Sequence, residues 1–171
     1  MKPVLSAICC LALCSVPALA QKTAAMSDQK FLDFAAQTDM VEAHLGKLAQ
    51  DAAASQSVKD YGQMVATDHT HDYERLQSLA QQTGLTVPTA IDSEHIKAVI
   101  APFHELKGAA FDHKYIHTMV EGHTGAIAIY KQEAHDAQNE AIRTYAQETL
   151  PTLQKHLDDA KAIEQGKTPS M

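Results

Sequence analysis

The sequence of 171 residues predicts an all-α fold: a four-helix bundle with an extra short helix between the second and third long helices. Three observations carry this. Apolar residues recur every three or four positions through nearly the whole chain beyond residue 26, the period of a half-buried helix. No run alternates apolar and polar as a strand would. Helix-ending and loop-forming residues (Gly84, Pro88, Gly108, Asn139) fall between the periodic stretches rather than within them.

Each element follows from its punctuation. Ser27 is an N-cap for a first helix reaching Ala54. The second starts at Ser55 or Ser57 and stops at Gly84, a residue suited to a helix C-terminus. Leu85 to Ile91, with Pro88, reads as a loop, and a shorter helix from Asp92 to Leu106 is closed by Gly108. The third long helix spans Ala109 to Ala137. Asn139 caps the fourth, which runs to Ile163 ahead of a tail over residues 166–171. Helices of this length are ~40 Å long, and four such rods make one bundle domain over residues 27–165. Pro151 sits inside the fourth helix, where it should kink the rod or start a fresh helical segment.

The first twenty residues read differently. Lys2 gives a positive start, Val4 to Val16 is largely apolar, and Ala18-Leu19-Ala20 has the small-x-small pattern of a signal-peptide cleavage site. The expected mature chain begins at Gln21, with residues 21–26 as a short extension, and is exported to the periplasm or cell envelope. Lipidation at Cys14 is the competing reading, and Leu13 fits poorly before such a site. All three cysteines (Cys9, Cys10, Cys14) lie in this leader, so the mature chain has no disulfide, thiolate ligand or cysteine nucleophile. Without Lys2 the mature chain has 13 basic residues against the 21 acidic ones, a net charge of −8. That balance disfavours nucleic acid and anionic lipid and favours cations. No transmembrane segment is expected in the mature chain.

Ten histidines remain, and their positions decide what the bundle can bind. The inward stripe of helix one runs Phe31, Ala35, Thr38, Glu42, Leu45, Ala49, Ala52. That of helix two runs Val58, Gly62, Val65, His69, Asp72, Leu76, Leu79. Helix three gives Ala109, His113, Ile116, Val120, His123, Ile127, Tyr130, Ala134, and helix four Ile142, Ala146, Thr149, Leu153, His156, Ala160, Ile163. Each stripe carries a titratable residue near mid-height: Glu42, His69, His123 and His156. Three imidazoles and a carboxylate in one layer suit a divalent transition metal such as zinc, copper or iron. Asp72, three residues after His69, is a candidate further ligand or supporting residue. The alternative is a hydrogen-bonded polar layer with no metal. His71 is expected on the solvent side of helix two, and His44, His95, His104 and His135 are expected exposed. His113 and His117, spaced i, i+4, offer a surface pair.

Several segments resemble a known family in order along the chain. They are Val41-Glu42-Ala43-His44-Leu45-Gly46-Lys47-Leu48-Ala49, Met64-Val65-Ala66-Thr67-Asp68-His69, Phe111-Asp112-His113-Lys114-Tyr115, Met119-Val120-Glu121-Gly122-His123 and Leu150-Pro151-Thr152-Leu153-Gln154-Lys155-His156. The sequence from Ser27 to Ile163 resembles the exported bacterial "domain of unknown function 4142" family. The resemblance implies a ferritin-like bundle and an envelope location but no agreed activity. Positions matching the family pattern include Glu42, Asp68, His69, Asp112, His123 and His156, and Asp68, Asp112 and Glu121 join Asp72 as candidate supporting residues around the layer. Ferritin-like proteins often house two metals on Glu-x-x-His pairs, and this sequence has none, which disfavours di-iron chemistry.

Three functional classes follow, in order. The first is a metal-binding envelope protein for buffering or stress protection. The second is a metal-free interaction module whose polar layer fixes helix register. The third is a metal-dependent enzyme, for which Asp68, Asp72 or Glu121 are candidate bases and nothing selects one. No nucleophile motif, phosphate loop or dinucleotide fingerprint is present. N-terminal sequencing of the exported protein should begin at Gln21 with no acyl group; a mature mass starting at a lipidated Cys14 would overturn the cleavage reading.

Overall fold

The computed structural model describes residues 26–170. The leader, the Gln21 start and Cys9, Cys10 and Cys14 lie outside the described residues. In chain order the elements are α1 (Asp28–Ala52), α2 (Gln56–Thr83), α3 (Ser93–His95), α4 (Gly108–Asp136) and α5 (Glu140–Glu164). The described residues form helices and connections with no strand, as the fold class requires. α1 packs along α2 and α4 along α5, each pair an antiparallel hairpin, and contacts between the hairpins are sparser. The connection from α2 to α4 runs the length of the bundle, the ferritin-like arrangement. No helix among the described residues is long and apolar enough to cross a membrane.

The caps act where the sequence places them. Ser27 accepts the Lys30 N–H at the start of α1, and Asn139 accepts the Ala141 N–H at 2.8 Å at the start of α5. Gly84 ends α2 at φ 70°, a left-handed conformation that costs a residue without a side chain nothing. α1 stops at Ala52, two residues short of expectation. The crossover differs more. Instead of one helix to Leu106, α3 gives way to a π-helical turn at Ile96–Ile100 and a 3-10 turn at Ala101–Phe103. Pro102 explains the break: it has no N–H to continue the ladder and its ring clashes with the preceding turn. Pro151 has a milder effect, because α5 remains one helix through it and no fresh segment begins there.

The inward face of α4 departs from expectation only over its first two turns; from Ile116 on, Ile116, His123, Ile127 and Tyr130 are buried as expected. Ala109 and His113 are exposed, while Phe111, Tyr115 and Met119 are buried. The crossover covers that face: the Phe103 ring lies 5.6 Å from Phe111 and 6.5 Å from Tyr115. Two apolar clusters result. One gathers Phe31, Leu76, Tyr130, Tyr145 and Leu153, and the other Leu45, Tyr61, Val65, Phe103 and Tyr115. Glu42, His69, His123 and His156 fall between them on every helix.

Two carboxylates clasp the hairpins reciprocally. Asp112 of α4 accepts the N–H groups of Ala54 and Ser55, both at 2.9 Å, in the α1–α2 turn. Asp28 of α1 accepts those of Gln138 and Asn139, at 3.2 and 3.1 Å, in the α4–α5 turn. Within the first hairpin the backbones touch. A Cβ on Gly46 would lie 2.5 Å from the Gly62 carbonyl oxygen, and one on Gly62 would lie 2.7 Å from Ala49 Cβ. Overpacking of this kind costs ~1–3 kcal/mol. Gly46→Ala should therefore lower the unfolding free energy by about 2 kcal/mol in urea titrations. Gly125→Ala, where an added Cβ meets nothing within 4 Å, should be neutral or stabilising through helix propensity.

Candidate metal centre

The four residues expected at mid-height meet in one layer. Glu42, His69, His123 and His156 are all buried, from α1, α2, α4 and α5 in turn. The ring centroids lie 5.8 Å apart for His69 and His123, 5.3 Å for His69 and His156, and 5.2 Å for His123 and His156. One nitrogen from each ring lies within 4.8 Å of the other two.

Which nitrogens face inward follows from what holds the outer ones. His69 Nδ1 bonds Asp39 Oδ1 at 2.8 Å, His123 Nδ1 bonds the Met119 carbonyl at 2.9 Å, and His156 Nε2 bonds Asp68 Oδ2 at 2.9 Å. A carboxylate or carbonyl can only accept, so each outer nitrogen donates. His69 Nε2, His123 Nε2 and His156 Nδ1 face one another, with His123 Nε2 and His156 Nδ1 at hydrogen-bond distance, 3.2 Å. Glu42 Oε2 joins them, 2.9 Å from His69 Nε2 and 3.3 Å from His123 Nε2. Yet Glu42 Oε2 and His69 Nε2 are both buried without an aligned hydrogen-bond partner. At 2.9 Å the two atoms are close enough to share a proton or a metal cation, and either satisfies both. Rings oriented by outer acceptors are the usual support for imidazole ligands.

The electrostatics agree. Burial would raise the Glu42 carboxyl, but the fields of His123 and His69 outweigh it and hold the pKa at about 2. Burial would lower His69, but the charge of the adjacent Glu42 and the bond to Asp39 raise it well above the ordinary histidine value. Desolvation leads at His123 and brings it down to about 4, despite the pull of Glu42. Burial also pushes Asp39 upward against the pull of His69. The layer thus holds a fixed negative charge and takes up a positive one. A proton on His69 supplies it, and a metal ion can take that proton's place.

The remaining expected residues separate. Asp68 supports His156, whose bond holds its carboxyl below the ordinary range. Asp72 touches no ligand imidazole: it accepts from the Tyr145 hydroxyl at 2.6 Å and from Arg75 at 2.9 Å. Asp112 is the turn clasp, and its place five residues into α4 puts it about 16 Å along the helix from His123. Glu121 is exposed and faces His117 at 3.4 Å, so neither it nor Asp112 supports the centre. Asp39 was missed by the stripe reading. It lies one turn before Glu42 on α1, and that i, i+3 spacing of two acids was the available signal. His71, His44, His104 and His135 are exposed as expected, and His95 is half-buried against Asp92. His113 and His117 stack at 6.4 Å on the surface.

In the metal-free protein His123 should govern acid stability. Its folded value of about 4 lies below the ordinary histidine value of about 6.5, so the unfolded chain takes up the proton first. Its contribution is present above pH 6.5 and is lost as pH falls toward 4. Relative to His123→Gln, the wild type should lose on the order of 3 kcal/mol across that window, measured by urea unfolding with chelator present. Parallel pH profiles for the two proteins would contradict this.

Comparison with known proteins bears on the fold and the family. Solved structures of CopM are similar to the chain at a TM-score of 0.64. The Ag-bound form (by co-crystallization) is 14% identical and covers 82% of this chain and 97% of that chain. The Cu(II)-bound form is also 14% identical and covers 83% and 98%. The Cu(I)-bound form is 15% identical, with 82% and 97% covered. At such identity the likeness is one of fold. No curated protein matches the chain. Residues 14–163 match the family described as Domain of unknown function (DUF4142), and the chain belongs to that family.

Proposed function

We propose that this protein binds one transition-metal ion through Glu42, His69, His123 and His156 and serves as a metal-binding protein of the cell envelope, for buffering or stress protection. The observation that carries the reading is the convergence of three imidazole nitrogens and the orphaned Glu42 Oε2 in a buried layer. Each imidazole is already oriented by Asp39, Asp68 or the Met119 carbonyl, so ordering the ligands costs little on binding. Three nitrogens and one carboxylate oxygen suit Zn(II) or Cu(II); softer Cu(I) favours sulfur. A protein of the same fold is known in Cu(I)-, Cu(II)- and Ag-bound forms, which supports the choice of cargo. The single inward carboxylate and the lack of Glu-x-x-His weigh against a di-iron centre.

Binding to the folded state alone makes the metal a stabiliser. At a free concentration a hundredfold above the dissociation constant, the gain is ~2.7 kcal/mol. Zinc or copper should therefore raise the thermal midpoint at pH 7.5. The gain should shrink toward pH 5, because the metal must displace the proton that Glu42 and Asp39 hold on His69. Ala at His69, His123 or His156 should each remove most of the effect, while His71→Ala on the exposed face of α2 should retain it. Equal responses in the His69 and His71 variants would indicate surface binding and favour a metal-free interaction module. Metal analysis of protein purified without a histidine tag gives the identity of the ion.

A further inference from the structure

An ion held by these ligands needs a way in, since His123 and His156 are 0% and His69 3% exposed. Three depressions reach the layer. The one between α1 and α4 ends on Glu42; its wall is mainly apolar (Phe34, Val41, Leu45, Met119), with Glu121 as its one other carboxylate. The one over the α1–α2 seam reaches His69 past Lys47, whose charge opposes a cation. The third, about 160 Å³, opens between α2 and α5. Asp68, Asp72, Thr149 and Thr152 line it, with His69 and His156 at its inner end. It shares His71 and Arg75 with a wider groove of about 900 Å³ that adds Glu74, Glu140 and Glu148. Acidic walls of this kind concentrate cations.

One side chain spans that passage. Arg75 of α2 gives Nη1 to Asp72 Oδ1 at 2.9 Å and Nη2 to Glu148 Oε2 of α5 at 3.0 Å, and its guanidinium lies 5.2 Å from the Tyr145 ring centroid. The geometry points to a latched ion passage between α2 and α5, with Arg75 as the latch and Asp72 as the enclosed carboxylate that receives a divalent cation when the latch lets go. This rests on the metal centre proposed above. A divalent ion reaching Asp72 competes with the guanidinium for the same oxygens. Arg75 has a side chain 45% exposed, so it gives way to water at little cost. Asp68, 39% exposed against 12% for Asp72, lines the same passage and is bonded to His156 Nε2, which joins the passage to the centre. The latch sets rates of entry and exit and leaves the equilibrium affinity to the buried ligands.

The test is stopped-flow exchange of Zn(II) between a colorimetric chelator and the untagged full-length mature protein. Arg75→Met should speed both uptake and release at least threefold, with the dissociation constant within about twofold of wild type. Glu148→Gln, which frees the far end of the same arginine, should do likewise and stands in should Arg75→Met fold poorly. In the Arg75→Met background, adding Asp72→Asn should slow uptake about tenfold. Unchanged rates in Arg75→Met and Glu148→Gln would overturn the latch. Faster release with unchanged uptake on adding Asp72→Asn would make Asp72 a ligand of the centre and overturn its receiving role. Slower uptake in Glu121→Gln would move the route to the α1–α4 groove. A wild type that binds neither zinc nor copper at equilibrium would overturn the centre and the passage together, whereas equal rates with intact binding would remove the passage alone.

Discussion

The Glu42 carboxylate, ionised in the middle of a helical bundle, is the constraint on which the rest of this structure turns. A lone buried charge of that kind is expensive by several kcal/mol, and proteins keep one only where positive groups and hydrogen bonds surround it. Here the compensation comes from three imidazoles on three other helices, so the carboxylate fixes the rotation and height of all four rods. The two apolar clusters on either side can then close without shifting the layer. Asp39 and Asp68 extend the same logic outward: Asp39 holds His69 so that Nε2 faces Glu42, and Asp68 holds His156 so that Nδ1 faces His123 Nε2. A second negative charge near the layer is tolerated because His69 is held cationic between Glu42 and Asp39.

The two hairpins divide this work unequally. Glu42 and His69, with Asp39, belong to the first hairpin, which is welded by the glycine contact between Gly46 and Gly62. His123 and His156 belong to the second. The centre is therefore the polar bridge across the sparser seam, and the neighbouring cleft between α2 and α5 exists because that seam is open enough to leave space. Tight packing within hairpins and looseness between them come from the same small-residue pattern: glycine and alanine at Gly46, Ala49, Gly62 and Ala66 bring α1 and α2 together.

Much of this was legible in the sequence, for physical reasons that differ by feature. The helices and their caps at Ser27, Gly84 and Asn139 were legible because caps and periodicity are local. The four inward residues were legible because a polar residue interrupting an apolar stripe at mid-height stands out on each helix separately. The start of α4 was not, because there Phe111 and Tyr115 turn inward against Phe103 of the crossover, a contact that the period of α4 alone does not encode. Asp112 was assigned to the centre and turned out to clasp a turn 57 and 58 residues away, a role no local pattern encodes. Asp39 and the Arg75 bridge escaped for the opposite reason. Acidic and basic residues on a helix are usually solvated, and only the fold shows which are enclosed or stretched across a cleft.

The exchange of turn carboxylates has a consequence for the order in which the molecule can be assembled during synthesis. The first hairpin leaves the ribosome with the N–H groups of Ala54 and Ser55 facing water, because their acceptor Asp112 lies nearly sixty residues further along the chain. Asp28, meanwhile, is made early and waits for a turn, at Gln138 and Asn139, that is among the last segments to appear. Each half holds the missing fastener of the other. A nascent chain cut off before α4 is left with an open turn, a Glu42–His69 pair that lacks His123 and His156, and an uncovered apolar face. The bundle therefore acquires its native order late and all at once, and the first hairpin depends on being shielded from wrong partners until the second arrives.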